Sequence, residues 1–380
     1  MKQPPDYPAY VTPQSARWRR WWTALPVVWL VAALATMLMW PEGKSTKTPV
    51  FWFWAAGLPL LLWLLAVSIR YLVYQVALHN RDSYQGVIKK AQDNWWQRRS
   101  LALPVEQAVL IGSLGDKSEI YRALLSAKPV PPVPVINSAG GFALRCPLLL
   151  NSTSNRTEAL ARLLARQVLN HVPDFEAGRT LQTIYWHGDN DSLAVFQAAL
   201  AQDSLTASGE SIALQNVDNL DAVIDRFHEQ TDETHWILCA GVGHFAKSPT
   251  DQPAGEAAFA WIVGHQGKTA LYRPEVLLPE SNESAQQLVA QLTRTASLSE
   301  VPTACLAMDT ASMNAVLPSG WSAVEHVLMP YFGELSALSP FIAATQALLH
   351  SDQQAEPCAW MAQHPEHHFI SGVTAPYGNV

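Results

Sequence analysis

Two long apolar segments near the start of the chain constrain its structure more than any other feature of the sequence. Residues 22–40 form a run of 19 without a charged side chain, and residues 50–69 form a run of 20. An α-helix rises about 1.5 Å per residue and the hydrocarbon core of a bilayer is roughly 30 Å thick, so each run is long enough to span a membrane. We therefore predict a transmembrane helical hairpin over residues 21–78, preceded by a cytoplasmic tail of residues 1–20.

A secretory signal peptide followed by a buried core helix is the alternative to a hairpin. The apolar region of a signal peptide is only roughly 7–15 residues long and ends at a small-residue cleavage site. Here the first run is longer, and a short polar loop, residues 41–49, leads into the second run. Tryptophans at positions 21, 22 and 40 and the aromatic residues 51–54 mark the ends of the runs, as expected at the headgroup level. These features favour the hairpin.

The basic residues near the hairpin predict its orientation. Four precede the first run and six lie between residues 70 and 99, whereas the connecting loop holds two, Lys44 and Lys47. The positive-inside rule then places both termini in the cytoplasm. We expect a protein of the bacterial inner membrane, with the lipid bilayer as a partner and a juxtamembrane linker over residues 79–103. The proline-rich residues 1–15 are predicted to be disordered.

Charge and cysteine usage exclude some functions. The formal net charge is −7, and the basic residues gather beside the apolar runs rather than on the remaining chain, which argues against nucleic acid as a partner. The four cysteines are widely spaced and form no C-x-x-C pair, a usage that suits a reducing compartment. We expect most of them to be buried small hydrophobic residues.

Residues 104–380 alternate short apolar runs with amphipathic segments. We predict strands at residues 105–111, 181–186, 236–243, 255–263 and 303–308, and helices at residues 157–172, 193–201, 218–229, 284–297 and 333–349. The last of these helices is apolar nearly all round and is therefore expected to be central. Apolar strands separated by helices predict an α/β domain with a sheet covered on both faces.

The order of these pieces resembles a known family. A glycine-ended strand, a strand that begins Gly255-Glu-Ala-Ala, a helix, the strand 304–308 and a buried helix opened by Gly333-Glu-Leu-Ser-Ala-Leu-Ser-Pro follow one another over residues 235–375. This order resembles the C-terminal half of β-ketoacyl synthases, in the thiolase-like superfamily. The resemblance implies a thiolase-like α/β domain of layered sheets with covering helices over residues 104–380. It also implies a homodimer as one stoichiometry, although the hairpin could impose another.

The chain departs from the family at the positions that carry its chemistry. The family uses a nucleophilic cysteine at the start of a buried helix and two histidines that stabilise an oxyanion. The resemblance places the nucleophile near residues 219–224, which hold no cysteine. It places one histidine directly after strand 304–308, where this chain has Asp309, and the other three residues before Gly333, where it has Pro330. The resemblance therefore implies a retained fold with a lost catalytic site.

A vestigial cleft is the candidate ligand-binding site. It would lie near Asp309, Pro330, Gly333 and Glu334. Carboxylates near predicted turns, namely Asp189, Asp191, Glu256, Asp309 and Glu334, are interpreted as helix-end or strand-end residues rather than as an acid/base pair.

A relocated nucleophile is the route by which the chain could still be an enzyme. The candidates are Cys239 and Cys305, and Cys239 has His235 and His244 near it in sequence. A Cys-His pair can form an activated thiolate, but strand residues four or five apart do not generally converge on one atom. A structural role is therefore the favoured interpretation of Cys239.

The C-terminal histidines are the candidate metal ligands. His364, His367 and His368 lie beside Glu366 and would need imidazoles that point at one centre. Pro365 favours an extended segment in which these rings stand apart, so an exposed loop is the favoured interpretation. No cofactor is predicted, because Gly241-Val-Gly243 lacks the third glycine and the lysine of dinucleotide and phosphate loops.

The sequence thus predicts a membrane-anchored, non-catalytic adaptor or scaffold that works with other membrane proteins. It resembles accessory proteins of bacterial secretion gene clusters, type VI in particular. The alternatives are an acyl-transfer or lipid-modifying enzyme with a relocated nucleophile, and a sensor that binds a small ligand in the vestigial cleft.

Overall fold

The computed structural model describes residues 2–15, 17–136, 140–150, 154–171, 179–230, 232–248, 251–277, 283–324, 326–364 and 367–377, without the side chains of residues 364, 367 and 368. The chain forms two compact units. One comprises Pro4–Trp95, and the other comprises Met1–Gln3 with Trp96–Val380.

The first unit is built on the two apolar runs. Its helices are α1 (Trp18–Met39), α2 (Pro49–Trp52) and α3 (Leu58–Arg99), with a π-helical turn, Phe53–Gly57, between α2 and α3. Both apolar runs form helices long and apolar enough to cross a membrane. Helix α3 continues through most of residues 79–103, the predicted juxtamembrane linker.

Aromatic contacts pair the two runs in antiparallel order. Trp22 near the start of α1 lies 5.4 Å from Trp63, centroid to centroid, and Trp40 just after its end lies 5.1 Å from Phe51. Between them, Trp29 Nε1 donates to the carbonyl of Ala56 at 3.0 Å. The two runs therefore form an antiparallel hairpin, in which the start of α1 lies beside Trp63 of α3 and the end of α1 lies beside Phe51 of α2.

The proline-rich tail has a defined path. Tyr84 Oη donates to the carbonyl of Pro8 at 3.1 Å, the rings of Tyr10 and Tyr84 are 5.5 Å apart, and Arg70 Nη2 donates to the carbonyl of Gln14 at 3.0 Å. The prediction of a disordered tail is therefore wrong for these residues. Tyrosine and arginine side chains of α3 hold an extended segment that cannot form its own backbone ladder.

The second unit is an α/β domain. Its strands are β1 (Leu103–Ile111), β2 (Val135–Ile136), β3 (Phe142–Ala143), β4 (Thr180–His187), β5 (Ile212–Ala213), β6 (His235–His244), β7 (Glu256–Val263), β8 (Thr269–Leu271), β9 (Glu275–Leu277), β10 (Ala304–Ala307), β11 (Cys358–His364) and β12 (His367–Pro376). Its helices are α4 (Ser118–Arg122), α5 (Leu124–Ala127), α6 (Arg156–His171), α7 (Asn190–Gln202), α8 (Leu220–Glu229), α9 (Ala285–Thr295), α10 (Thr310–Val316), α11 (Met329–Phe332) and α12 (Ser339–Gln354).

Within the described residues the strands form one mixed sheet and one small hairpin. The sheet order is β10-β11-β12-β8-β1-β7-β6-β4-β5, with β9 paired to β12, and β2 pairs with β3 apart from it. Strands β4, β5 and β6 are mutually parallel, whereas β7 runs antiparallel to both β6 and β1. Strand β1 also pairs with β8 and so joins the two halves of the sheet.

Alternate strand residues enter different cores, which shows how the layers are stacked. In β6, Ile237 and Cys239 face a central core with α8 and α12, whereas Leu238 and Ala240 face an outer core with α6 and α7. In the other half of the sheet, Cys358 and Trp360 face the same central core, and their neighbours face α9 and α10. Since successive side chains of a strand point to opposite faces, the domain has five layers, with α8 and α12 in the middle.

The predicted central helix at residues 333–349 is confirmed as central but begins later than expected. Helix α12 starts at Ser339 and is buried from there to Leu349. Residues 333–335 instead pair with the segment before β7, because Glu334 N donates to Pro253 O and Gly255 N donates to Glu334 O, both at 2.8 Å. Gly333 has a φ of +71°, which permits the turn between the two segments.

Candidate functional site

The start of the central helix α8 is one position that the family resemblance assigns to chemistry, and the other two are Asp309 and Pro330. A short 3₁₀ turn, Val217–Asn219, leads into α8. The turn is closed by a capping box, in which the Asn216 backbone N–H donates to Asn219 Oδ1 at 3.0 Å and the Asn216 side chain accepts from the Asn219 backbone. Polar side chains therefore cap this helix, and no thiol lies at its start.

The space between the start of α12 and strands β6 and β7 is filled by apolar side chains. Phe341, in the first turn of α12, is fully buried and stacks on Phe259 with centroids 5.0 Å apart and an interplanar angle of 8°. Leu338 packs so closely that a Cβ added to Gly243 would lie 2.9 Å from Leu338 Cδ2. The crevice between β6 and α12 is thus packed like a core.

His187 is a titratable side chain in contact with this packing, and sequence reasoning did not single it out. It ends β4, its ring lies 4.9 Å from the ring of Phe341, and its Nδ1 is 2.8 Å from the carbonyl of Leu214. A carbonyl only accepts, so Nδ1 carries the proton. Gly241 permits this placement, because a Cβ there would lie 2.6 Å from His187 Cβ. The residues that position His187, namely Leu214, Gly241 and Phe341, are far from it in sequence, so no local pattern marks this histidine.

The four residues of the predicted cleft fall into two pairs. The segment at Val327 runs parallel to Ala307, so Asp309 and Pro330 follow neighbouring extended segments. Gly333 and Glu334 lie instead against residues 253–255. Helix α11 connects the two pairs, because it contains Pro330 and is capped by Gly333. The cleft as a single ligand site stays a prediction.

Asp309 and Glu334 each accept hydrogen bonds from residues two or three positions further along the chain. Asp309 caps α10, since it accepts from Ser312 N at 2.7 Å and from Ser312 Oγ at 2.9 Å. Glu334 Oε1 accepts from the backbone N–H of Ser336 at 3.0 Å. These bonds confirm the interpretation of both residues as helix-end or turn residues.

The cysteines are buried and lie on strands or beside them. Cys239 is in the middle of β6, fully buried, and burial raises the pKa of its thiol far above the ordinary range. Burial also raises the pKa of Cys305 to about 12. The thiolate is the reactive form, so neither candidate nucleophile is activated. His235 and His244 stand at opposite ends of β6 and do not converge on Cys239.

The candidate metal ligands lie at a strand turn. His364 ends β11, and its backbone is paired with that of His367 at the start of β12. The side chains of these residues and of His368 lie outside the described part of the structure, so metal binding there is untested. In the remainder of the described chain, no group of three or more His, Cys, Asp or Glu side chains could hold a metal ion.

A buried ionic cluster, which the sequence did not predict, lies where β6 ends and β7 begins. Arg156 donates to Glu256 from Nε to Oε2 at 2.6 Å and from Nη2 to Oε1 at 2.8 Å. His244 Nδ1 lies 3.0 Å from Glu256 Oε2, and Cys146 N donates to Oε1 at 3.2 Å. Glu256 is the first residue of β7, as its interpretation as a strand-end residue has it, and its side chain is completely buried. Arg156 and Cys146 are a hundred or more residues away from Glu256 in sequence. No local sequence pattern marks the contact with His244, which is 12 residues away.

Electrostatics keep Glu256 ionised. Desolvation by burial raises the pKa of its carboxyl, but the hydrogen bonds from His244 and Arg156 and the positive charge of Arg156 outweigh it, so the pKa lies below its usual value. A carboxylate only accepts, which means that His244 Nδ1 carries the proton of their bond. The cluster is structural in kind, because bidentate arginine–carboxylate pairs fix geometry rather than transfer protons.

A second buried network joins the end of α3 to the middle layer. Arg99 donates to Asp221 on α8 from Nη1 to Oδ2 at 2.6 Å, and to Glu275 of β9. Arg273 and Lys2 also pair with Asp221. Burial raises the pKa of Asp221, but the hydrogen bond from Lys2 and the charges of the three cations outweigh it and lower the pKa below its usual value.

Comparison with known proteins identifies the fold. The ishigamide ketosynthase/chain length factor superposes with a TM-score of 0.53 at 10% identity, covering 73% of this chain and 100% of that chain. An oxazolomycin ketosynthase domain from Streptomyces albus JA3453 matches with a TM-score of 0.48 at 11% identity, over 73% and 96%. The 3-oxoacyl-[acyl-carrier-protein] synthase III from Aquifex aeolicus VF5 gives 0.47 at 11%, over 72% and 99%.

The domain therefore has a thiolase-like fold, as the sequence resemblance implied. At such identities the likeness concerns the fold alone and transfers no activity. No family model and no curated protein sequence matches the chain.

Proposed function

We propose that this chain is an inner-membrane-anchored, non-catalytic adaptor, in which a hairpin of two spanning helices holds a thiolase-like domain at the cytoplasmic face of a bacterial secretion or other membrane-associated complex. The observation that carries the proposal is the filled crevice between the start of α12 and strands β6 and β7. Phe341 and Leu338 occupy it, and both are fully buried.

The chemistry of the thiols supports the same conclusion. Acyl transfer through a cysteine requires a thiolate that a substrate can reach. All four cysteines are buried, and burial raises the pKa of each thiol above its usual value. A domain that keeps the fold without these requirements is suited to binding rather than to covalent catalysis.

The exposed apolar surface of the hairpin supports the anchor. None of the α1 residues is buried in the protein, although the helix is apolar over most of its length. A contiguous apolar surface of this size requires a nonpolar environment. The positive-inside rule supports the cytoplasmic orientation of both termini. The likeness to accessory proteins of type VI secretion clusters supports the wider context.

Isolation of the full chain from its native membrane tests the adaptor role. The chain, tagged at its genomic locus, would be crosslinked in living cells, extracted in mild detergent and affinity-purified. We expect other membrane proteins to be recovered in fixed proportion to it. A tagged, unrelated two-helix membrane protein of similar abundance serves as the control. Recovery of a monodisperse protein without a partner would count decisively against an adaptor.

A further inference from the structure

Among the described residues, two arginines face the single carboxylate of Glu256, so their cluster carries one uncompensated positive charge. Arg156 and Arg145 both lie against the single carboxylate, with Arg145 Nη1 3.6 Å from Glu256 Oε2. The side chains of Arg145 and Arg156 are only 9% and 8% exposed. Arg156 makes two bonds to Glu256, and its Nη1 donates to the carbonyl of Leu150 at 2.9 Å. Arg145 therefore carries the positive charge that the carboxylate of Glu256 does not balance.

The hydrogen bonds of Arg145 leave most of its donors unused. Its Nη1 donates to the carbonyl of Phe245 at 3.1 Å and lies 3.0 Å from His244 Nδ1. Because that nitrogen already donates its proton to Glu256, it cannot also accept from Arg145. A guanidinium has five N–H donors in a fixed fork. In the described residues, all the hydrogen bonds of Arg145 use Nη1, so Nε and Nη2 remain for another acceptor.

Burial makes this arrangement expensive in the free protein. Burial of an ion is unfavourable unless an opposite charge compensates it, and Arg145 shares its nearest carboxylate with Arg156. Consistent with this cost, desolvation and the nearby Arg156 lower the pKa of Arg145, and the attraction of Glu256 only partly offsets them. A carboxylate placed against Nε and Nη2 would remove the imbalance through a bidentate, charge-assisted contact.

Exposed apolar side chains lie on the same stretch of chain as Arg145. Phe142 is 63% exposed and pairs with Ile136, which is 74% exposed, in the β2–β3 hairpin. Leu148 and Leu150 follow Arg145 and are 51% and 77% exposed. Leu150 is tied to the cluster through the bond from Arg156 to its carbonyl. Several large exposed apolar residues on one short stretch of chain are typical of interaction sites.

We propose that Arg145, Ile136, Phe142, Leu148 and Leu150 form a docking surface, the Arg145 surface, for a partner protein that presents an Asp or Glu side chain flanked by apolar residues. The acid pairs with Arg145, and the flanking residues cover the apolar side chains. The proposal rests on the adaptor function and defines the chemistry of the partner. A small free anion would balance the charge, but it would leave these apolar side chains in water.

Selection of peptides against the intact protein tests the Arg145 surface. Random twelve-residue peptides displayed on phage would be selected on the full chain in detergent micelles, and the enriched peptides would be synthesised with a fluorophore for affinity measurement. We expect enriched sequences with an acid between apolar residues. Arg145→Gln should weaken their binding at least about thirtyfold, since it removes one partner of a buried charge pair.

Two further variants separate binding from folding. Phe142→Ser alters an exposed side chain and should weaken binding severalfold without changing the melting temperature. The matched controls are Arg162→Gln, at an arginine that is 63% exposed, and Val324→Ser, at a valine that is 58% exposed. Both should bind like the unmodified chain, because they lie on exposed positions outside the Arg145 surface.

The outcomes that overturn the proposal are specific. Failure to enrich any peptide, enrichment of peptides without an acid, or equal affinity for the unmodified chain and Phe142→Ser would each do so. Displacement of the peptide by millimolar inorganic phosphate with no contribution from Phe142 would indicate a small-anion site instead. If the complex isolated from membranes persists in Arg145→Gln and Phe142→Ser chains, the Arg145 surface is overturned while the adaptor role stands.

Discussion

Arg156 on α6 donates two hydrogen bonds to Glu256 at the start of β7, from Nε to Oε2 at 2.6 Å and from Nη2 to Oε1 at 2.8 Å. The two residues are a hundred positions apart in the chain, and the bond fastens an outer-layer helix to the sheet. Because Glu256 is fully buried, the loss of one partner would leave the others as unpaired buried charges.

Glu256→Gln should strongly destabilise the domain. It leaves two buried arginines without a counter-charge, and removal of one partner from a buried pair costs about 3–5 kcal/mol. Urea unfolding of the full chain in detergent, followed by the fluorescence of the domain tryptophans, measures the loss. Glu158→Gln is the matched control, since its pair with the exposed Arg162 should contribute at most about 1 kcal/mol. Equal effects of the two substitutions would contradict the account of the cluster.

The same carboxylate predicts an acid dependence of stability. The pKa of Glu256 is lowered in the folded state, so its stabilising contribution is complete above its unfolded value near 4.5 and is lost as the pH falls below it toward the lowered value. Unfolding free energies measured from pH 6 downward should therefore fall more steeply for the unmodified chain than for Glu256→Gln. Parallel curves would show that Glu256 is not held ionised by its neighbours.

Arg99 predicts a second pair of matched substitutions. Arg99 is buried between Asp221 and Glu275, whereas the preceding Arg98 is exposed. Arg99→Gln should cost about 3–5 kcal/mol of unfolding free energy, because two buried carboxylates lose a partner. Arg98→Gln should change it by less than about 0.5 kcal/mol. Equal tolerance of both substitutions would show that the pairs of Arg99 with Asp221 and Glu275 do not stabilise the domain.

Truncation of Phe341 tests the packing of the crevice, and truncation of the exposed Phe142 is its control. Phe341 is fully buried at the start of α12, and its truncation to alanine should cost about 3–5 kcal/mol through lost burial and the cavity left behind. Phe142→Ala removes an exposed ring and should leave the melting temperature within about one degree, since surface substitutions usually change stability little. If Phe341→Ala melted like the unmodified protein, the space at the start of α12 would be open rather than filled.

The cysteines predict the outcome of a direct test for acyl transfer. Incubation of the full chain with acyl-thioester substrates should add no covalent mass, because Cys239 and Cys305 are buried and their thiols have raised pKa values. Iodoacetamide at pH 7 should also leave all four thiols unmodified in the folded protein and should label them after unfolding in urea. An acyl adduct on either cysteine, detected by intact mass, would favour the enzyme.

The features that the sequence predicted well are those with a local period. Uncharged runs of spanning length indicated the two helices of the hairpin, and strands such as β6 were predicted within one or two residues because each is apolar and bounded by polar residues or glycine. The thiolase-like fold followed from the order of such pieces. Strand and helix identity depends on neighbours close in sequence, and therefore leaves a readable pattern.

The features that it predicted poorly depend on pairing across long distances in the chain. The later start of α12 reflects the bonds of Glu334 to Pro253 and Gly255, some eighty residues earlier. The roles of Glu256, Arg145 and His187 likewise depend on side chains from other elements. A single carboxylate or arginine beside a strand has the same local signature whether it faces solvent or a buried partner, so only the folded structure distinguishes the two.

The native mass of the particle that contains this chain tests the central claim most directly. The chain would be expressed at its natural level, extracted from membranes in mild detergent and measured by native mass spectrometry after detergent removal in the gas phase. The adaptor account predicts a particle that contains the 41.8 kDa chain together with other membrane polypeptides in whole-number ratio. A particle made of this chain alone, as one copy or several, would contradict it.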